Sequence, residues 1–295
     1  MAGAGGDLEA VLRAELATPA PAAVQAIARA ARGRHAPGIA AVLFYGSCFR
    51  DGEVVDRLVD LYLLADAYET TGQGRIAAAT NALLPPNVRY LEIGHEGRTV
   101  RAKYAIVTLD QLEAWVAPDT DNPYFWARFA QPTGLVWCRN ETTRRRVTDI
   151  MAQAVRTTFA AARALTRDMA ASEALWTVVF LETYRTELRA EKPDRAAEIY
   201  QSFAARYDRI TRILIAEDVR PLPRSWTRTR RLGKALSVLR LMKAAFTFNG
   251  GADYLAWKIE RHSGQPVPLT DWQRRHPILA APPILWRLWR AKAVR

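Results

Sequence analysis

Cysteine is scarce in this chain, because Cys48 and Cys138 are the only two among its 295 residues. Two cysteines are too few for a disulfide framework or a cysteine-rich zinc site, so we expect both to pack as small apolar side chains in a reducing compartment. The four histidines, at positions 35, 95, 262 and 276, are isolated from one another along the sequence. The sequence therefore does not predict a zinc site.

Long apolar runs are also missing. No stretch approaches the roughly 20 consecutive apolar residues that a membrane-spanning helix requires. Acidic residues at positions 7, 9 and 15 interrupt any basic-then-apolar signal pattern near the N-terminus. We therefore expect a cytoplasmic protein that does not cross a membrane.

The familiar glycine motifs are absent as well. The 16 glycines form neither Gly-x-x-x-x-Gly-Lys-Ser/Thr nor Gly-x-Gly-x-x-Gly. The main sequence evidence for a P-loop or a Rossmann nucleotide site is therefore lacking. A Gly-x-Ser-x-Gly elbow is absent too, which argues against a serine hydrolase.

Acidic residues are few in the last third of the chain. Residues 201–295 have 19 Lys and Arg against six Asp and Glu, whereas residues 1–200 have 23 against 24. The formal net charge of +12 therefore comes from the C-terminal part. A basic segment of this kind is attracted to nucleic acid or to an anionic lipid surface. A merely solvated basic helical face is the alternative.

The hydrophobic pattern changes character near residue 147. Before it, the pattern predicts helices over 8–16 and 22–32 and strands over 39–45, 58–64, 88–93, 99–107 and 134–138. After it, helical spacing continues over 149–169, 172–190, 194–216, 225–247 and 251–262. We expect an α/β domain over 1–147, a helical domain over 148–280 and a basic amphipathic segment over 281–295.

The most informative pattern is a Gly-Ser pair followed by an aspartate on the next apolar run. Gly46-Ser47 ends the run 39–45, and Asp60 lies within the run 58–64. Backbone N–H groups and a hydroxyl at a strand-to-helix turn can bind phosphate oxygens, although Ser47 as an ordinary helix cap is the alternative. An aspartate on a buried strand is normally paired or binds a metal. Magnesium is the natural partner beside a phosphate site.

This spacing resembles the nucleotidyltransferase superfamily of the DNA polymerase β type. That superfamily usually has Asp-x-Asp or Asp-x-Glu, whereas this chain has Tyr62 two residues after Asp60. Strand alternation places Tyr62 on the same face as Asp60, but a tyrosine cannot replace a carboxylate at magnesium. Two interpretations follow: a non-catalytic domain, or a family that assembles its metal site differently.

The chain is similar to one family of the second kind, the mitochondrial translocator assembly and maintenance proteins, which are phosphatidate cytidylyltransferases. The similarity covers roughly residues 40–260 and depends on the order and spacing of short matches. After Tyr45-Gly46-Ser47 and Asp60, the matches are Lys103 to Val107, Tyr124 to Pro132 and, more weakly, Tyr184-Arg185 and Lys243 to Lys258. The chain departs from the family at Ala105 and Ala127 (glycine there), Gln131 (lysine) and Thr183 (aspartate).

The resemblance implies a polymerase β-like nucleotidyltransferase domain of α/β class with a mixed sheet, followed by a mostly helical domain. It implies transfer from CTP to phosphatidate, giving CDP-diacylglycerol and diphosphate for phospholipid biosynthesis. Asp60 and Lys103 would be the catalytic residues, and Asp60 would hold Mg²⁺ or another divalent metal. The nucleotide-binding residues would be Tyr45, Gly46, Ser47, Lys103 and Arg128.

Three candidate residues also have simpler interpretations. Lys103 shares a strand face with Arg101, which is typical of a solvated edge strand. Arg128 lies among aromatic residues and is either an interface residue or a buried clamp for an anion. Glu92, on the strand after Asp60, is a candidate for a further metal ligand or a surface residue.

The segment 281–295 predicts a short helix that lies on a membrane. Two prolines precede an apolar stripe at helical spacing, and basic residues flank that stripe. We expect an interfacial anchor on the inner face of an anionic membrane, with no nucleic-acid binding because the segment is too apolar. Docking onto the helical domain is the alternative. The candidate lipid-contacting residues are Trp286, Arg287, Leu288, Trp289 and Arg290.

Two other function classes stay open at this point. One is another polymerase β-type nucleotidyltransferase that acts on RNA, protein or a small molecule. The missing second carboxylate weakens that class, because a hydroxyl nucleophile needs more activation than a phosphate does. The other is a non-catalytic nucleotidyltransferase fold that binds membrane or nucleic acid.

Overall fold

The computed structural model describes residues 4–54, 57–166, 171–187, 194–247, 252–253, 256–257, 260 and 268–275. The predicted segment 281–295 and its five candidate lipid-contacting residues lie outside these ranges. The predicted helix over 251–262 is described only in part. In the described ranges, no helix is both long and apolar enough to cross a membrane.

Five strands form one mixed sheet in the order β3-β4-β2-β1-β5. Strands β2 and β4 run parallel, and every other neighbouring pair is antiparallel. The strands are β1 (Ile39–Tyr45), β2 (Leu58–Ala65), β3 (Asn87–His95), β4 (Arg98–Thr108) and β5 (Gly134–Cys138). The five predicted strands are confirmed, and the protein is of α/β class.

Twelve α-helices with described bounds accompany the sheet, together with one 3-10 turn at Glu69–Thr71. Before residue 140 they are α1 (Ala4–Leu16), α2 (Ala22–Gly33), α3 (Ser47–Asp51), α4 (Arg75–Leu83), α5 (Leu109–Val116) and α6 (Tyr124–Phe129). After it they are α7 (Glu141–Leu165), α8 (Ser172–Tyr184), α9 (Arg195–Ser202), α10 (Ala204–Ala216), α11 (Trp226–Thr247) and α12 (Asp271–Arg275). The described residues beyond position 140 include no strand.

Each face of the sheet has its own apolar core. On one face, Val24 and Ile27 of α2 pack against residues of β1, β2 and β4. On the other face, Tyr45 and Tyr62 belong to a single cluster with buried residues of α7, α8, α9 and α10. The boundary predicted at residue 147 lies within α7, where Val147 is part of this second core. The division into domains stays a prediction.

Helix α11 contacts the rest of the protein near its start and near its end. Near its start, Arg230 Nη2 donates to Glu182 Oε2 of α8 at 2.5 Å, and the Glu182 carboxylate is buried. Gly233 touches the end of α8 so closely that a Cβ there would lie 2.6 Å from the Thr186 carbonyl oxygen. Near its end, Arg240 Nε donates to the Pro85 carbonyl oxygen at 2.9 Å. This second contact brings α11 to the loop that precedes β3.

Lys243 makes the second contact dependent on pH. Its ammonium group donates to the Pro86 carbonyl oxygen at 3.2 Å. Burial, with a smaller contribution from Arg240, lowers the pKa of Lys243 from 10.5 to about 8. Between these two pH values the unfolded chain binds the proton and the folded chain releases it, so this group makes the unfolding free energy rise with pH.

We therefore expect Lys243→Met to lose this rise. In urea unfolding between pH 7.5 and 10.5, the free energy of unfolding of the wild type should increase relative to that of Lys243→Met as the pH increases. Lys234→Met, an exposed change on the same helix, should follow the wild type throughout. Parallel profiles for wild type and Lys243→Met would contradict a depressed pKa.

Candidate functional site

A cavity opens where strands β1 and β2 meet the helices, with an empty volume of about 960 Å³. Residues of β1, β2 and α3 form one wall, α6 and its C-terminal flank form another, and α8 and α9 form a third. Four of the five predicted nucleotide-binding residues, Tyr45, Gly46, Ser47 and Arg128, line it together with Asp60, whereas Lys103 does not. The structure thus brings together residues that the sequence separates by up to 83 positions.

Asp60 and Lys103 lie side by side on neighbouring strands. In the sheet register, Asp60 of β2 lies between Tyr45 of β1 and Lys103 of β4. Lys103 Nζ is 3.1 Å from Asp60 Oδ1, although this contact is an ion pair without hydrogen-bond geometry. Oδ1 has no other partner among the described residues. The predicted catalytic pair is therefore in contact, with one carboxylate oxygen incompletely satisfied.

Gly46 lets the main chain approach the Asp60 carboxylate. Its φ angle is +86°, in the region that L side chains rarely adopt. A Cβ at this position would lie 2.8 Å from Asp60 Oδ2, closer than real Cβ contacts. Glycine is required here for both the backbone conformation and the space.

We expect Gly46→Ala to displace Asp60 and to abolish function at this site. Gly52→Ala is its matched control, because Gly52 flanks the same short helix α3 with a φ of +72°, and a Cβ there would meet no described atom within 4 Å beyond its chain neighbours. Gly52→Ala should destabilise the fold by about 1–2 kcal/mol through backbone strain, and Gly46→Ala should destabilise it more, because its ψ of −157° lies in a region that is essentially restricted to glycine. Only Gly46→Ala should weaken nucleotide binding in titration calorimetry. Equal effects on binding would mean that the contact with Asp60 does not matter.

Arg128 is a cation that forms no ion pair among the described residues. Its Nε is shielded from solvent, and the residue as a whole is half-buried in the cavity wall. The group lies 5.3 Å from the ring centre of Tyr45 and 5.2 Å from that of Tyr124. No described carboxylate lies within 4.0 Å of it, and Arg128 Nε makes no hydrogen bond to any described residue. Glu187 attracts this charge only from a longer distance, so the side chain fits an anionic ligand.

Tyr62 lies two residues after Asp60, where the superfamily that the sequence resembles has a second carboxylate. It is buried, and its hydroxyl donates to the Tyr124 hydroxyl at 3.4 Å. Burial, which is the largest effect, raises the pKa of Tyr62 well above 10. A neutral phenol in this place shapes the wall beside Arg128 and supplies no metal ligand.

Sequence reasoning missed three charged residues of the cavity: Arg50, Glu187 and Arg195. Arg50 lies on α3, Glu187 follows the end of α8, and Arg195 begins α9. The weak match at Tyr184-Arg185 pointed to this wall, because Tyr184 also lines the cavity. With these residues the lining contains three arginines against two carboxylates, which favours an anion.

Glu92 lies elsewhere. Its Oε1 accepts hydrogen bonds from the Tyr90 hydroxyl and, at 3.2 Å, from Arg101 Nε. It lines a different cavity, beside Trp257 and next to the edge strand β3. The structure therefore does not bring this predicted metal ligand to Asp60. Across the described ranges, no three His, Cys, Asp or Glu side chains gather in a way that could hold a metal ion.

A single carboxylate still fits one kind of magnesium site. Magnesium usually keeps several waters and is bound by one or two carboxylates together with substrate phosphates. Asp60, with an incompletely satisfied Oδ1 at the edge of a cavity lined by arginines, suits an ion that arrives with a polyphosphate. It does not suit an ion held by protein groups alone.

Comparisons of the chain with known protein families and with curated proteins gave no match. The residues of the cavity suit an anion, with three arginines beside the Asp60 and Glu187 carboxylates.

Proposed function

We propose that the protein is a nucleotidyltransferase with a polymerase β-like fold that converts CTP and phosphatidate to CDP-diacylglycerol and diphosphate. One observation carries the proposal: Arg128, a half-buried arginine that forms no ion pair among the described residues, lines the same cavity as Gly46, Ser47 and Asp60. A cation that lacks a protein partner is prepared for a phosphate group. The resemblance described above supplies the choice of CTP and phosphatidate.

The arginines and the glycine suit a triphosphate. Gly46 and Ser47 offer close main-chain approach and a hydroxyl, while Arg50 and Arg128 supply positive charge in the same cavity. Lys103 adds a further cation beside Asp60. Guanidinium groups can bind phosphate oxygens through two parallel hydrogen bonds, which fixes orientation as well as charge.

The reaction needs little activation of its nucleophile. An oxygen of the phosphatidate phosphate attacks the α-phosphorus of CTP, the bond from that phosphorus to the bridging oxygen breaks, and diphosphate leaves with the electron pair. A phosphate nucleophile is already anionic, so positioning and charge stabilisation suffice. Lys103 and Arg128 would stabilise the charge that develops on diphosphate. Asp60 would hold a magnesium ion that binds with the nucleotide, and that ion would neutralise further phosphate charge.

Access to a lipid substrate is a separate part of the proposal. Phosphatidate resides in a bilayer, so the enzyme would act as a peripheral protein on the cytoplasmic face of a membrane. The segment 281–295, with its tryptophans and basic residues, is the proposed contact with anionic lipid.

The decisive experiment tests several acceptors in parallel reactions. Purified protein is incubated with radiolabelled CTP, magnesium and vesicles that contain phosphatidate, with tRNA and with no acceptor in parallel, and the products are separated by chromatography. We expect label in CDP-diacylglycerol, lost in the Lys103→Met variant. Label in RNA would favour the other nucleotidyltransferase class, and absence of label from every product would overturn an enzymatic function.

A further inference from the structure

The wall of the cavity formed by α8 and α9 differs from the phosphate-like wall around Gly46. It combines apolar or aromatic surface with one acidic acceptor and one basic donor, next to the hydroxyl groups of Thr183 and Tyr184. Ile199 and Phe203 supply apolar surface, Glu187 is the acidic acceptor and Arg195 is the basic donor. A flat heterocycle with a polar edge fits such a wall better than a phosphate does.

Glu187 is the unusual member of this wall. Its carboxylate makes no hydrogen bond and no ion pair with any described residue. It acts electrostatically on Arg128 and Arg240, which places it within the same charged region. A carboxylate that binds nothing in a polyphosphate site would only repel the ligand. Because ionised carboxylates accept but never donate, Glu187 fits a ligand group that donates a hydrogen bond.

Arg195 supplies the complementary property. One of its terminal nitrogens, Nη1, donates to Glu198 Oε2 at 3.0 Å, and the rest of the guanidinium retains further N–H groups. An acceptor and a donor on one wall match the edge of cytosine, which has an exocyclic amino group next to an acceptor nitrogen. Adenine has the same pair of groups, so the choice of cytosine comes from the resemblance that supplies CTP. Uracil has a keto oxygen and an N–H in those places, so the pattern is reversed.

We infer that Glu187 and Arg195 select the nucleobase. Glu187 accepts a hydrogen bond from the 4-amino group of cytosine, and Arg195 donates to the ring nitrogen or the 2-keto oxygen. With UTP, the 4-keto oxygen would face the Glu187 carboxylate and leave both oxygens unsatisfied. This inference rests on the proposed nucleotidyl transfer and adds to it the residues that determine the choice of base.

The test compares CTP with UTP in binding and in turnover. Wild-type protein should prefer CTP by about 100-fold or more, because a site built for a hydrogen-bonding group strongly rejects the analogue that lacks it. Glu187→Gln should bring the ratio of the two dissociation constants close to one, since an amide both accepts and donates. Titration calorimetry without phosphatidate measures this ratio independently of catalysis.

The ratio of the CTP and UTP dissociation constants distinguishes base recognition from the simple loss of a negative charge. Loss of the Glu187 charge alone would tighten both triphosphates equally and leave the ratio unchanged. Glu173→Gln, the same change at an exposed position of α8, should keep the wild-type ratio. Glu187→Asp, which retains an acceptor-only group, should keep the preference for CTP with weaker binding of both nucleotides.

Three results would overturn the inference while leaving nucleotidyl transfer intact. They are equal wild-type affinity for CTP and UTP, an unchanged ratio in folded Glu187→Gln, and a change only in the ratio of CTP to its 2′-deoxy analogue. The last result would assign Glu187 to the ribose. Failure of the wild type to bind any nucleoside triphosphate would overturn both the inference and the proposed function.

Discussion

Asp60→Asn is expected to reduce the formation of CDP-diacylglycerol by about 10²–10³-fold, the loss typical when one preorganised electrostatic group is removed from a site. The amide retains the shape of the side chain but loses the charge that faces Lys103 and the proposed magnesium ion. Both members of the ion pair are partly exposed, at 21% for the Asp60 side chain and 33% for that of Lys103. Exposed pairs of this kind contribute little to stability, so the melting temperature should change little.

Asp66→Asn is the matched control for that experiment. Asp66 follows the same strand and forms an exposed ion pair with Arg139 at 2.6 Å, away from the cavity. Its variant should turn over substrate as the wild type does. Normal turnover in Asp60→Asn would remove Asp60 from the mechanism and, with it, the residue on which the resemblance depends most.

The sequence predicted the strands well because burial made their patterns clear. The run 39–45 is buried at every position between β2 and β5, so it has the uninterrupted apolar character of a central strand. The order of the sheet was not predictable in the same way. The parallel pairing of β2 with β4 depends on contacts between segments about 40 residues apart, which leave no local pattern.

The short helices were the main feature of the fold that the sequence did not predict. Helix α6 has six residues, five of them aromatic or apolar, and its conformation depends on packing rather than on periodicity. The predicted helix 194–216 is two helices, because the backbone leaves helical geometry at Phe203, where φ is −140° and no glycine or proline marks the break. Tertiary contacts decide such details, and single-sequence patterns do not report them.

The residues of the candidate site also differ in whether the sequence predicted them. Gly46 and Asp60 could be found because their spacing along two successive strands is a local property of the chain. Glu187 and Arg195 lie far along the sequence on helices whose pattern indicates only packing. Only the structure identifies them as site residues, because it places α8 and α9 against the cavity.

Arg128→Met is expected to weaken the binding of CTP and, at the same time, to leave the free protein as stable as the wild type or more stable. A charge-assisted hydrogen bond contributes about 1.5–3 kcal/mol, so affinity should fall by about 10–150-fold. Methionine fills a similar space between Tyr45 and Tyr124. The two cation–π contacts that it loses are each worth about 0.5–2 kcal/mol, and removal of a partly desolvated charge that forms no ion pair should offset that loss.

Which of the two proteins, the wild type or Arg128→Met, is more stable should therefore depend on whether nucleotide is present. In urea unfolding without CTP, Arg128→Met should equal or exceed the wild type. With CTP at about 100 times its wild-type dissociation constant, the wild type should gain about 2.7 kcal/mol and the variant less.

Arg206→Met is the matched control for this prediction. Its side chain is only 11% exposed and is paired with Glu15, and Arg206 Nη1 donates to the Ala130 carbonyl oxygen at 3.0 Å. Removing one member of a buried pair should destabilise the protein by about 3–5 kcal/mol. It should leave CTP affinity unchanged. If Arg128→Met destabilised the free protein as much as Arg206→Met does, Arg128 would have a structural partner, and its assignment to an anionic ligand would be wrong.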